Sequence, residues 1–429
     1  MNNIGVILAC GLGVRFESRI PKTFVKLNGK HVIQYSVDAM INSNVFSKII
    51  VMVSNKKYYN YTHEKVVIVE AKTKTRNETV LRAIQYIETN QRKLQPRNVL
   101  FHDAARPLIR ADEFKPFIDE LSTNDACVTR AGVVDALIQQ INGTACEQNR
   151  DEYVLVQTPE AFRYEILVAS KDNLKTSTKN SIVATIGVGS CGFISLTRHS
   201  NLKITTPKDL FIAEQLLKYT PYIKSEPVAM KKALVFGGHG GIGKEVCKQL
   251  CKRGCEVFAP THEQHDLTLT TLQWDWLQQF DVIINCVGLA TKDEDGLLLP
   301  FNTIMRTNVL GSLNILNALN QRPSESRKNV VLVSSSAATR GRQGLTLYSA
   351  SKAALHSITE SLSGELKEKN TYVNIVCPEK VNTAMAKRLH GTINTKETLT
   401  PSEVARAIIS YCKTDEAGSI VHIRKGMKC

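Results

Sequence analysis

The sequence predicts an α/β protein made of two three-layer domains, and three observations carry that prediction. Short apolar runs alternate with amphipathic stretches along the whole chain, the pattern of strands and helices wound around largely parallel sheets. Near the middle, the stretch from Tyr219 to Val228 breaks the alternation with two prolines and neither helical nor strand period, so it reads as a linker. The chain has 429 residues, 43% of them hydrophobic, enough for two or three domains that each bury a core. The expected boundaries are residues 1–226 and 229–429.

Each element follows from a local run. In the first half Ile4–Leu8, Ile49–Val53, Val66–Val69 and Val99–Phe101 are apolar and short, as buried strands are, and Thr79–Thr89 has helical spacing. Beyond the linker the same reasoning gives strands at Lys232–Phe236, Val257–Ala259, Val282–Asn285, Val330–Ser334 and Tyr372–Val376.

Composition narrows the function. There are 55 Lys+Arg against 40 Asp+Glu, a net charge of +15. The excess is spread over both halves, with no basic tail and no run of five basic residues, so a nucleic-acid partner is not expected. Diffuse positive charge suits phosphorylated small molecules, or simply a solvated surface. No stretch approaches 18 apolar residues and no charged start precedes an apolar core, so neither membrane span nor export signal is expected, and the location expected is cytoplasmic. Eleven cysteines, an odd number, read as reduced thiols. Cys247, Cys251 and Cys255 recur every four residues, which stacks them on one helical face as small hydrophobes more readily than it builds a metal site.

The first strand runs into Ala9-Cys10-Gly11-Leu12-Gly13-Val14-Arg15, with Pro21-Lys22 shortly after. Glycines at 11 and 13 let backbone N–H groups approach a phosphate chain, and Arg15 and Lys22 add positive charge beside it. That combination suits nucleotidyl transfer, in which the protein positions groups and neutralises charge.

These residues, with His102-Asp-Ala-Ala-Arg-Pro107, Gln157-Thr-Pro159 and Asn201-Leu-Lys-Ile-Thr-Thr-Pro-Lys-Asp209, resemble the cytidylyltransferases that make CDP-activated polyol phosphates, of the methylerythritol phosphate and ribitol phosphate types. The resemblance covers most of residues 3–218. It implies that Leu8, Ala9, Cys10, Gly11 and Gly13 line the CTP site, that Arg15, Lys22 and Lys203 surround the α-phosphate, and that Thr79 lies near the nucleotide. It implies further that Asp103 lies by the nucleotide and serves as a ligand for Mg²⁺, directly or through water. Arg106 and Arg150 would hold the phosphate of the incoming polyol phosphate, and Asp135 would contact its hydroxyls. Ala136 stands where the methylerythritol enzymes have Thr, and their Thr-Asp pair is missing around Asn180–Val183, which turns the resemblance away from the isoprenoid substrate.

In the second half the strand Lys232–Phe236 ends in Gly237-Gly-His-Gly-Gly-Ile-Gly243, the spacing of a Rossmann-like pyrophosphate turn at a helix start. Downstream, Tyr348 and Lys352 stand four apart, on one face of an expected helix, with Ser335 thirteen residues before the tyrosine. A nearby ammonium favours tyrosinate, so the Tyr348 pKa is expected to fall toward a working value. The set resembles the short-chain dehydrogenase/reductase family over about residues 231–383. The resemblance implies that Tyr348 is the general acid, that Ser335 orients a carbonyl, that Lys352 also holds the nicotinamide ribose, and that Asn308 supports a proton relay. Gly237, Gly241, Ile242, Gly243, Asn285, Gly288 and Asp266 would bind the cofactor. The second strand leads into Phe258-Ala-Pro-Thr-His262 with no carboxylate before Glu263, so a 2′-phosphate meets no repulsion; Thr261 or His262 would contact it, and NADPH is favoured over NADH.

One half would activate a polyol phosphate with CTP and the other would reduce a carbonyl to an alcohol. The pairing resembles the bifunctional ribulose 5-phosphate reductase/CDP-ribitol pyrophosphorylases of capsule synthesis. The implied substrates are ribulose 5-phosphate, ribitol 5-phosphate and CTP, in a protein expected to be a homo-oligomer. The alternative is a 2-C-methyl-D-erythritol 4-phosphate cytidylyltransferase fused to a reductase of unrelated substrate. A third reading, inactive folds serving as a sensor or nucleic-acid binder, is disfavoured by the intact Arg15, Lys22, Tyr348 and Lys352.

Overall fold

Along the first strand, Ile4, Val6 and Leu8 face one side and Ile7 and Ala9 the other, and all five are buried. That double burial is why the strands are continuous apolar runs without alternation. In the computed structural model the described residues are 2–11, 16, 20–179, 181–196, 201–218, 230–269, 275–293, 300–413 and 417–426. The expected linker, Gly13 and Arg15 lie outside them. The chain divides into two compact units, Met1–Leu217 and Lys218–Cys429.

The first unit is built on a seven-stranded sheet in the order Cys191–Ile194, Ala126–Gly132, Val154–Arg163, Pro96–Asp103, Asn2–Ala9, Lys48–Val53, Val66–Glu70. Val154–Arg163 runs antiparallel to both neighbours, whereas the remaining pairings are parallel. Ile4, Val6 and Leu8 pack with residues of helices Arg76–Thr89 and Tyr164–Ser170, and Ile7 and Ala9 with Val32–Asn42 and Lys115–Glu120, which gives three layers. Outside this sheet stands a hairpin, Leu137–Ile141 paired with Thr144–Gln148. Its turn is Asn142-Gly143, both at positive φ (47° and 83°), the backbone that a tight two-residue hairpin requires. The sequence reading did not foresee this arm.

The second unit has a six-stranded sheet in the order Glu256–Phe258, Lys232–Phe236, Val282–Asn285, Lys328–Val333, Thr371–Pro378, Ile420–Ile423, with every pairing parallel. Ala233 and Val235 pack with helices Gly241–Cys251 and Pro401–Tyr411; Leu234 and Phe236 pack with Gly311–Gln321 and Thr346–Glu368. In both sheets the strand order reverses beside the first strand of the unit. Such a reversal opens a crevice at the carboxyl ends of the strands, where ligands of doubly wound sheets bind. Among the described residues no helix is long and apolar enough to cross a membrane.

Candidate active sites

In the first unit the reversal lies between Asn2–Ala9 and Pro96–Asp103, with Leu8 in register with Asp103. Leu8, Ala9 and Cys10 are buried at this end. A Cβ on Gly11 would meet nothing within 4 Å, so protein packing does not explain that glycine.

Asp103 is the hub of the site. Its Oδ2 accepts from Lys203 Nζ at 2.7 Å and its Oδ1 from Arg76 Nε at 3.3 Å, while Arg106 Nε stands 3.9 Å from Oδ2. Burial by itself would raise its pKa; Arg76, Lys203 and Arg106 override burial and hold the carboxyl far below the ordinary range. Arg76 reaches on to Glu160 at 2.9 Å, and Glu160 accepts the backbone N–H groups of Ile182 and Val183. Thr75 caps the helix that begins at Arg76 by accepting from the Glu78 N–H, and so fixes where this guanidinium emerges.

Arg106 is held by its Nη1 donating to the Asn201 carbonyl at 2.6 Å, whereas its Nε is buried with no hydrogen-bond partner. The charge facing that Nε is Asp103 Oδ2, 3.9 Å away. The Arg106 carbonyl in turn accepts from His102 Nε2 at 3.0 Å, given that burial keeps this imidazole neutral and lowers its pKa to about 4. Lys22 lies on the turn Lys22–Phe24, close enough to Asp209 to help hold that carboxyl low; Asp209 accepts the backbone N–H groups of Thr205 and Thr206 just after Lys203. Thr79 spends its hydroxyl on Thr73, at 2.7 Å, and on the Thr75 carbonyl, and the same pair of hydroxyls hydrogen-bonds the Cys10 thiol.

The structure therefore brings Asp103, Arg106 and Lys203 together. Asp135 and Arg150 instead lie exposed at the base of the hairpin arm, where Arg150 Nη1 donates to the Val134 carbonyl at 2.6 Å. Among the described residues neither contacts the Asp103 cluster. Arg76 and Glu160 were missed from sequence as site residues; the hint was Arg76 leading the motif that contains Thr79.

Asp103, expected to hold Mg²⁺ directly or through water, offers a resident cation little in this arrangement. Both its oxygens are engaged by cations, and no group of three His, Cys, Asp or Glu side chains gathers as a metal cage among the described residues. The protein groups as arranged do not fit a resident cation.

In the second unit Gly237 ends the first strand at φ +71°, where a Cβ would stand 3.0 Å from the Cys286 carbonyl carbon. A Cβ on Gly243 would lie 2.1 Å from the Gly237 oxygen, so the turn closes only with glycine there. Beyond this turn a cavity of 860 Å³ is lined by Gly237, Gly241, Ile242, Gly243, Gly288, Ser335, Tyr348 and Lys352. A second cavity, of 360 Å³, also touches Gly237 and is lined by Thr261, His262 and Asp266. Two cavities meeting at a glycine turn before a helix N-terminus fit a dinucleotide, with its nicotinamide in the larger and its adenosine in the smaller.

Ser335 Oγ accepts from the Ala337 N–H and lies near enough to the Tyr348 hydroxyl to pull the phenol's pKa down. Lys352 Nζ donates to the Val333 carbonyl at 3.0 Å and lies 5.9 Å from the centre of the Tyr348 ring. The expected fall in the Tyr348 pKa is not found. Burial pushes the phenol up, Ser335 offsets part of this, and Lys352 is itself lowered by burial to about 8.

Asn308 and Asn285 brace the site without lining either cavity. Asn308 sits in a π-helical turn, Arg306–Leu310; its amide accepts from the Leu289 N–H and donates to the Leu289 carbonyl and Ser351 Oγ. Asn285 joins the Val287 N–H to Ser312.

Residues 4–219 match the family model of 2-C-methyl-D-erythritol 4-phosphate cytidylyltransferase (IspD), and residues 261–394 match that of short chain dehydrogenase. A Haemophilus influenzae protein, bifunctional ribulose 5-phosphate reductase/CDP-ribitol pyrophosphorylase Bcs1, is 25% identical over 98% of this chain and 95% of its own length. The 2-C-methyl-D-erythritol 4-phosphate cytidylyltransferase of Thermosipho africanus is 31% identical over 49% of this chain and 95% of its own. Among solved structures, 4-diphosphocytidyl-2C-methyl-D-erythritol synthase from Anaerococcus prevotii aligns with TM-score 0.42 and 21% identity, over 50% of this chain and 97% of that one. ElxO with NADP bound aligns with TM-score 0.40 and 20% identity, over 46% and 97%. With its family model matched over half the length and an anion-binding cluster at the strand ends, the chain belongs to the IspD cytidylyltransferase family and carries a short-chain dehydrogenase domain behind it.

Proposed function

We propose that this protein reduces D-ribulose 5-phosphate to D-ribitol 5-phosphate with NADPH and then couples the product to CTP, giving CDP-ribitol and pyrophosphate for a capsule or surface polysaccharide. The observation that carries the reading is the end-to-end match to a relative named for both activities, 98% of this chain against 95% of that one. The domains performing the two steps are residues 1–226 and 229–429.

In the reductase, bound NADPH supplies hydride to the ketone carbon. Tyr348 gives its phenolic proton to the carbonyl oxygen, and Ser335, on the same cavity wall, points the carbonyl at it. Lys352 holds the nicotinamide ribose, and Asn308 keeps the Leu289 segment in place. Thr261 and His262, which line the smaller cavity, would hold a 2′-phosphate there.

In the transferase, a phosphate oxygen of ribitol 5-phosphate attacks the α-phosphorus of CTP and pyrophosphate leaves. Lys22, Lys203 and Arg15 neutralise charge that grows on the α-phosphate, and the Arg106 guanidinium holds the acceptor phosphate. Lys203 must leave Asp103 or share it to do so. Mg²⁺ belongs to this reading as a counter-ion carried on the triphosphate. Arg150 and Asp135 reach an acceptor only where the arm is brought over a site. The arm exposes Ile138 and Ile141, and the segments on either side of it expose Val134 and Leu155, an apolar surface that favours a homo-oligomer.

A second reading has its own support, since relatives at 30% identity or more are methylerythritol phosphate enzymes matching only the first unit. Purified protein given ribulose 5-phosphate and NADPH should oxidise the nicotinamide, and later addition of CTP and Mg²⁺ should release pyrophosphate. Methylerythritol phosphate proving the far better acceptor would move the assignment to the second reading.

A further inference from the structure

The cavity that contains Ser335, Tyr348 and Lys352 is also lined by Arg342, Lys380 and His390. Hydride transfer to a ketone uses none of these three. Arg342 is tied to the neighbours of both reacting hydroxyls: its Nη2 donates to Ser336 Oγ at 3.3 Å, and its backbone N–H to Ser349 Oγ at 3.2 Å. Its loop is held again by Asp293, whose N–H donates to the Gly344 carbonyl and whose carboxylate accepts from the Thr346 N–H and hydroxyl.

Lys380 stands two residues beyond Pro378, on the same cavity wall, with its carbonyl accepting from the Leu399 N–H. His390 ends the helix Ala384–His390 and lies near enough to Lys380 and Lys292 that, after burial, their charges lower its pKa. Two carboxylates share the lining. Glu379 is engaged by Arg424 at 3.6 Å, and Glu397 is exposed. Among the described residues no ion pair joins Arg342 or Lys380 to a carboxylate. The lining therefore sets Arg342, Lys352 and Lys380 against Glu397 and a Glu379 already engaged by Arg424, an excess of cations on groups that donate several hydrogen bonds.

We propose that Arg342, Lys380 and His390 form the subsite for the terminal phosphate of an open-chain ketose phosphate, seating the ester so that its carbonyl meets Ser335 and Tyr348. Planar guanidinium and ammonium donors match a phosphate dianion, and a sugar lacking the ester would leave these charges uncompensated. This inference rests on the reductase reading above and names how that site selects a phosphorylated substrate.

The test compares kcat/KM for D-ribulose 5-phosphate with that for D-ribulose, NADPH being saturating, in the wild type, Arg342→Gln, Lys380→Gln and the double variant. The wild type should favour the ester by about 100-fold or more, each single variant should cut that ratio about 10- to 100-fold, mainly through KM, and the double should bring it near one. Arg342→Lys should recover part of the loss. Fluorescence titration with NADPH reports whether each variant keeps its cofactor site. A wild type that reduces both sugars alike overturns the subsite and leaves ketose reduction standing. Undiminished ratios in variants that still bind NADPH overturn it as well. Failure to reduce ribulose 5-phosphate at all sinks the reductase reading itself.

Discussion

The two sites occupy the same place in their sheets, at the carboxyl ends where strand order reverses, yet they are built from opposite materials. In the first unit one carboxylate, Asp103, stands among Arg76, Lys203 and Arg106, and the cations outnumber it. In the second, Ser335 and Lys352 are fixed by hydrogen bonds to backbone beside Tyr348, the ammonium next to the phenol is lowered by burial to about 8, and Arg342 and Lys380 lie elsewhere on the cavity lining. An excess of cations prepares a place for phosphates, whose charge replaces that of the internal partner. A buried phenol paired with a hydroxyl prepares proton transfer, which needs one labile hydrogen in a fixed position and little net charge. The same fold logic serves both because the strands set the location and the side chains set the chemistry.

The comparison breaks most sharply under cross-mutation. Tyr348→Phe should lower ketose reduction by about 10² to 10⁴-fold while transfer from CTP to supplied ribitol 5-phosphate continues; Lys203→Ala should lower transfer by about 10² to 10³-fold and spare reduction. Following NADPH absorbance and pyrophosphate on each variant checks this, and one variant losing both activities would refute independent sites.

A smaller effect tests whether the first site is held by its charge balance. Asp103→Asn removes one of the two carboxylates, Asp103 and Glu160, that the described residues set against Arg76. Removing one partner from such a cluster costs on the order of 3 kcal/mol, so calorimetry should show one unfolding transition moving down and the other staying. The second site holds no comparable ion cluster, and no single neutral replacement of Ser335 should do as much.

The mildest test is pH. His102 has its folded pKa lowered to about 4, against an ordinary value of 6.5, so the unfolded chain takes up the proton first as pH falls. Stability contributed by the neutral imidazole is complete above pH 6.5 and declines from there toward pH 4, by roughly 3 kcal/mol in all. The unfolding midpoint of the first unit should drop across that window, and His102→Gln should flatten the drop. An unchanged slope would mean that His102 is not held neutral.

What was legible in advance followed from local rules. The strands at Lys232–Phe236 and Val282–Asn285 match residue for residue, because a strand buried on both faces is a bare apolar run. The Gly237–Gly243 turn was legible because a close backbone approach leaves no room for a Cβ. The arm at residues 137–148 also had its local signal, Asn142-Gly143, but its strands lack a buried face and so lack the alternation that announces a strand.

The sequence by itself determined the two domains, the family of the first, the glycine turns and the Tyr348–Lys352 spacing, all written within a few consecutive residues whose meaning is set by backbone geometry. Only the tertiary structure decided that Arg76 joins Asp103 to Glu160 across distant strands, that Arg342 and Lys380 share a cavity with Tyr348, and that burial lifts the Tyr348 pKa instead of lowering it. The reason is that charge and desolvation act through space. Residues far apart in the chain acquire their protonation and their partners only when the fold sets them side by side away from water.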